Sequence, residues 1–146
     1  DREIERTAMR MMKMDPKNGT ATWLALEEAR VSLLTTEGGR SECIKAVVIL
    51  VTDEVSNPHS MSKETIKQAE LLKKSSSYEP GIGAPTVILV ELPKEKEKVG
   101  LAGLVERTLT EREFAAIPSK PEYRFKPGTF DDLEKSVIPL PRCQDL

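Results

Sequence analysis

Hard oxygen donors are the first chemistry this chain offers. Asp53 follows directly on the run Val47-Val48-Ile49-Leu50-Val51-Thr52, and Thr20 opens a helical stretch within Asn18-Gly19-Thr20-Ala21-Thr22. If the apolar run is a strand of a parallel sheet, both residues fall on its carboxyl edge, where loops converge and helix N-termini point into a crevice. A carboxylate beside a hydroxyl at that edge suits Mg²⁺ or Mn²⁺, which favour carboxylate, hydroxyl and water oxygens. A plainer reading stands beside it, in which Asp53 caps the loop that follows and Thr20 is the N-cap of its helix. Glu54 puts a second acid next to Asp53, Thr22 shares the helix start, and Trp23 is either a contact residue or packing beneath the loop.

Other chemistries are less well served. His59 lies in the loop after Asp53 with no Ser or Cys nucleophile in a matching role, so it reads as a solvated loop histidine. Neither Gly-x-Gly-x-x-Gly nor Gly-x4-Gly-Lys-Ser/Thr occurs, and Gly81-Ile82-Gly83-Ala84-Pro85 precedes a strand instead of joining strand to helix. An enzyme is therefore not expected. Cys43 and Cys143, with the single His59, are too few for a disulfide framework or a zinc site, which leaves one disulfide or two free thiols. Asn18-Gly19-Thr20 is also an N-glycosylation acceptor, although a glycan there would crowd the proposed face.

Composition narrows the partners. Twenty-two basic against 24 acidic side chains give a net charge of −2, with no basic stripe to release counterions from a phosphate backbone, so nucleic acid is not expected. The longest apolar run, Ala46 to Val51, is too short to cross a bilayer, and no charged n-region followed by an apolar h-region opens the chain. Lys94-Glu95-Lys96-Glu97-Lys98 alternates in sign and reads as a solvated loop or helix face. The 146 residues fit one domain with a single core, built mainly from Val, Leu, Ile, Ala and Met because aromatics are only 4%.

The elements that must position these residues follow from periodicity. Helices are expected over Glu3 to Met14, with Ile4, Ala8, Met11 and Met12 inward, and from about Thr20 to Leu34, with Thr22, Leu26, Ala29 and Leu33 inward. The opening residues already read as the inside of a helix, so an upstream segment is expected. Ile44 to Thr52 reads as a strand covered on both faces, and Thr86 to Glu91 as a second buried strand. Between them Ser60 to Lys74 is helical, with Ile66, Ala69 and Leu72 inward. Thr110-Glu111-Arg112-Glu113 has the form of a capping box for a short helix ending near Ile117. Tyr123 to Lys126 reads as a short strand, and a last helix opens at Thr129-Phe130-Asp131-Asp132 and stops at Pro139. Helices alternating with strands build a doubly wound α/β fold, with a mostly parallel, Rossmann-like sheet and helices on both faces.

Several of these segments resemble the von Willebrand factor type A domain. Gly19-Thr20-Ala21-Thr22-Trp23-Leu24-Ala25-Leu26 is similar to that family's Gly-Gly-Thr-x-Thr-Gly-x-Ala-Leu, and Val47 to Asp53 to its Leu-Leu-Thr-Asp-Gly strand. Pro85 to Val90 resembles the next strand, Glu113 to Pro121 the family's Leu-x-x-Ile-Ala-Ser-x-Pro, and Tyr123 to Leu133 its closing strand and helix. The resemblance implies a single domain over residues 1–146 that lacks the family's first strands and first helix. It implies an extracellular or cell-surface adhesion module that binds a protein ligand through Mg²⁺ or Mn²⁺. Thr20 and Asp53 would be the second and third elements of the metal site, with Thr22, Trp23 and Glu54 at the ligand face. The family's Asp-x-Ser-x-Ser loop is absent, Glu54 stands where Gly is usual, and Trp23 replaces another Gly. These departures imply an alternative: an assembly module of the same fold with a degenerate, metal-independent site. In that layout Cys43 and Cys143 lie toward the edge opposite the ligand face, where they can pair with each other or Cys143 with an upstream cysteine.

Overall fold

The computed structural model describes residues 19–34, 46–74, 84–94 and 99–137. The expected helix over Glu3 to Met14, Cys43, Cys143, Asn18 and the stop at Pro139 lie outside the described residues.

Three parallel strands form one sheet in the order β1-β2-β3, with β1 at Val47–Thr52, β2 at Thr86–Glu91 and β3 at Arg124–Phe125. Val47 lies opposite Thr86 and Thr52 opposite Glu91, while Leu89 and Val90 pair with Arg124 and Phe125. Parallel neighbours require crossovers, and helices supply them. α1 runs Thr22–Glu28 and continues as one wider π turn over Ala29–Leu33; α2 is Ser62–Lys74, α3 Gly100–Ala116 and α4 Asp131–Val137. The fold class is α/β, as the alternating pattern foretells.

β2 forms as the β-branched run dictates: with a neighbour on each side it buries Thr86 to Val90. Alternation then divides the core in two. Val87 and Leu89 join Leu26, Ala69, Leu72, Phe114 and Ile117 from the helices, with Val48 and Leu50 against them. On the opposite face Ile88 and Val90 pack with Phe125, Tyr123 and the α4 residue Leu133. α2 shows how sequence makes such a helix. Thr65, Gln68, Ala69 and Leu72 repeat at helical spacing and are buried, Glu64 sits in the first turn, and Lys73 and Lys74 complement the dipole in the last.

Three expectations need correction. The β1 segment was expected to be covered on both faces, yet Val47, Ile49 and Val51 are 36%, 46% and 53% exposed while Val48 and Leu50 are half-buried. The described residues leave that face of β1 open because α4 packs over the β2–β3 half through Leu133. Thr20 does not cap α1: the cap position is Ala21, whose side chain offers no oxygen. Thr110 does not open a helix either. It lies inside the 17-residue α3 and its hydroxyl donates to the Glu106 carbonyl at 2.8 Å, the back-bond that a helical threonine makes to the preceding turn.

Candidate functional site

The loop from Asp53 to Pro58 is shaped from within. At its start the Thr52 hydroxyl donates to the Glu54 carbonyl at 3.0 Å and accepts the Glu54 N–H at 3.3 Å, a turn that a β-branched residue with one oxygen can close on itself. Val55 and Ser56 then turn inward and are buried, which forces their neighbours outward, so Asp53 and Glu54 are exposed. Asn57 donates its N–H to the Thr20 carbonyl at 3.0 Å, tying this loop to the segment that leads into α1.

Gly19 makes that approach possible. Its φ is +83°, and a Cβ built there would come within 2.9 Å of the Asn57 side chain and carbonyl oxygen. Only a residue with no side chain accepts both the backbone angle and the neighbour.

Two residues singled out from spacing meet at this edge. The Thr20 hydroxyl reaches the Glu54 Oε2 at 3.5 Å, a long contact. Asp53 lies on the same loop but lines a cleft of about 620 Å³ between the strand ends and α3. Trp23 is half-buried, and Thr22 is 4% exposed and belongs to the buried face of α1. His59 is half-buried at the start of a short 3₁₀ turn, His59–Met61.

The cleft has charged walls that largely answer one another. Lys94 pairs with Glu106 at 3.2 Å. Arg124 bonds to the Glu91 carboxylate and forks onto Glu111 with Nη1 and Nη2 at 2.9 and 3.0 Å. These bonds from Arg124 hold the Glu111 carboxyl below the usual carboxylate range. Phe114 and Pro127 supply apolar lining.

Beneath the loop lies a constellation that the sequence does not announce. Glu113 of α3 is fully buried and accepts at Oε1 from the Ser56 N–H at 3.0 Å and the Ser56 hydroxyl at 2.8 Å. The Ser56 hydroxyl also shares a 2.5 Å hydrogen bond with the Thr65 hydroxyl of α2. A serine bonded to a carboxylate resembles a nucleophile beside its base, but Ser56 is 0% exposed and no substrate can reach it. One signal was available: an acid at position 113 shares a helical stripe with Gly103, Thr110 and Phe114, all of them buried. The Thr-x-x-Glu form of residues 110–113 masks that stripe.

Chemically, the edge offers oxygen donors: the Thr20 hydroxyl and the carboxylates of Asp53 and Glu54. Among the described residues no group of three or more His, Cys, Asp and Glu side chains is gathered as a metal cage. Among them, too, no helix is long and apolar enough to cross a membrane. Set against models of protein families, curated proteins and solved structures, the chain matches none of them.

Proposed function

We propose that the chain is a non-enzymatic recognition module with the doubly wound arrangement of a von Willebrand factor type A domain. It binds a protein ligand, in an extracellular or cell-surface setting, through the sheet edge that carries Thr20, Asp53 and Glu54. The observation that carries this reading is the convergence itself: two exposed acids follow β1 at its carboxyl end, and a threonine from the α1 entry lies 3.5 Å from one of them. Open parallel sheets use that edge for ligands.

The donor set fits a hard divalent cation. Thr20 and Asp53 would hold Mg²⁺ or Mn²⁺, with Glu54 adding charge, and water and an acidic group of the partner would fill the remaining positions that such ions require. When bound, the ion would let two negatively charged surfaces meet. The protein's own part is to fix the loop and expose Asp53 and Glu54.

A second reading has its own support. The Thr20 hydroxyl turns to Glu54, the residue that stands where the family has Gly, so Glu54 can serve in place of an ion as its partner. The edge is then a metal-independent assembly surface.

Titrating Mn²⁺ by calorimetry into the wild type, Asp53→Ala and Glu54→Ala separates the two. Saturable binding that disappears in Asp53→Ala is the expected result. Binding that survives Asp53→Ala, or a folded wild type that takes up no Mn²⁺, would overturn the metal-dependent reading in favour of the second.

A further inference from the structure

A carboxylate in a protein interior is costly unless hydrogen bonds compensate its lost hydration. Glu113 is 0% exposed, and the bonds that compensate it come from Ser56, a residue 57 positions away in the loop behind Asp53. Among the described residues its other oxygen, Oε2, is buried with no hydrogen-bond partner, and so is the hydroxyl of Ser62 at the start of α2. An apolar side chain of similar volume would satisfy the inner face of α3 without those costs. What only an acceptor at this position can do is hold the Ser56 N–H and hydroxyl together.

That grip has a direction. Ser56 is fastened to α3 through Glu113 and to α2 through Thr65, while the next residue, Asn57, is fastened to Thr20. Three elements thus converge on two adjacent residues, and the exposed acids at 53 and 54 stand in the same short loop, between this grip and the Thr52 turn that ends β1. We infer that Glu113 is the positioning residue of this loop: by accepting both bonds from Ser56 it sets where Asp53 and Glu54 stand at the sheet edge. Its consequence for binding rests on the recognition reading above. Its consequence for the loop does not.

The test reads amide hydrogen exchange at Ser56 and Asn57 against the β2 amides of Ile88 and Leu89, in the wild type, Glu113→Ala, Glu113→Gln and Ser56→Ala. Glu113→Ala should speed exchange at Ser56 and Asn57 roughly tenfold or more while β2 is unchanged. Glu113→Gln keeps an oxygen acceptor and should return most of the protection. If Glu113→Ala does not fold, Ser56→Ala decides: it removes the hydroxyl's bonds to Glu113 and Thr65, retains the N–H bond to Glu113, and should loosen the loop alone by a smaller factor. Loop exchange equal to wild type in Glu113→Ala, a glutamine variant as loose as the alanine one, or Ser56→Ala with an unaltered loop would each overturn the assignment. Mn²⁺ titrated into the same samples should bind more weakly to Glu113→Ala and regain affinity in Glu113→Gln. A folded wild type that does not bind Mn²⁺ sinks the metal reading alone, since the exchange rates judge Glu113 independently.

Discussion

Gly19 is the residue on which the edge turns. At φ +83° an L side chain is strained, and the space where a Cβ would sit is already taken by Asn57. Gly19→Ala is expected to destabilise the fold by about 1–2 kcal/mol from the backbone angle alone. It should also break the Asn57 to Thr20 hydrogen bond, because the added methyl pushes those two segments apart. A urea midpoint and the exchange rate of the Asn57 amide check both parts, and a midpoint equal to wild type would contradict them. The sequence shows a glycine before Thr20, but the demand placed on it comes from Asn57, which reaches it only through the fold. Thr20 and Asp53 were legible as residues of one edge. That Thr20 would turn to Glu54 was not, because which of two neighbouring acids it meets is set by the turn that Thr52 closes after β1.

Elements were legible where periodicity is strong and local. β2 is found over Thr86–Glu91 as its β-branched run requires, and the Ser60 to Lys74 segment is helical with Ala69 and Leu72 buried. Ile66, expected inward, is half-buried because Thr65 and Gln68 take the inner stripe instead. α3 begins at Gly100, ten residues before the expected start at Thr110. Leu101, Leu104 and Val105 are exposed, so the opening residues of this helix, Gly100 to Val105, carry no polar outer face to reveal its period, and the Thr-x-x-Glu signature in its second half imitates a beginning. The C-terminal half of α3 is where the helix meets the sheet, through Phe114 and Ile117 in the main core. Phe114→Ala should cost about 3–5 kcal/mol, the usual range for emptying the place of a buried ring. Thermal or urea unfolding measures it, and a loss below about 1 kcal/mol would show that α3 is not anchored as described.

At the scale of the molecule, a parallel sheet gathers its loops at one end, and this sheet places there the acids of the β1 exit, the Thr20 segment and the charged cleft beside α3. The α/β class was legible because alternating helices and strands admit few other arrangements. The open face of β1 was not, because an apolar run is the same whether a second layer covers it or leaves Ile49 and Val51 exposed. The central claim, that the sheet edge at Thr20, Asp53 and Glu54 receives a divalent cation, is tested most directly by Mn²⁺ broadening of amide resonances. Substoichiometric Mn²⁺ added to ¹⁵N-labelled protein should broaden Thr20, Asp53 and Glu54 first, with β3 and α4 unaffected. Broadening centred on Glu106 and Glu111 in the cleft, or none at any concentration below that of the protein, would contradict it.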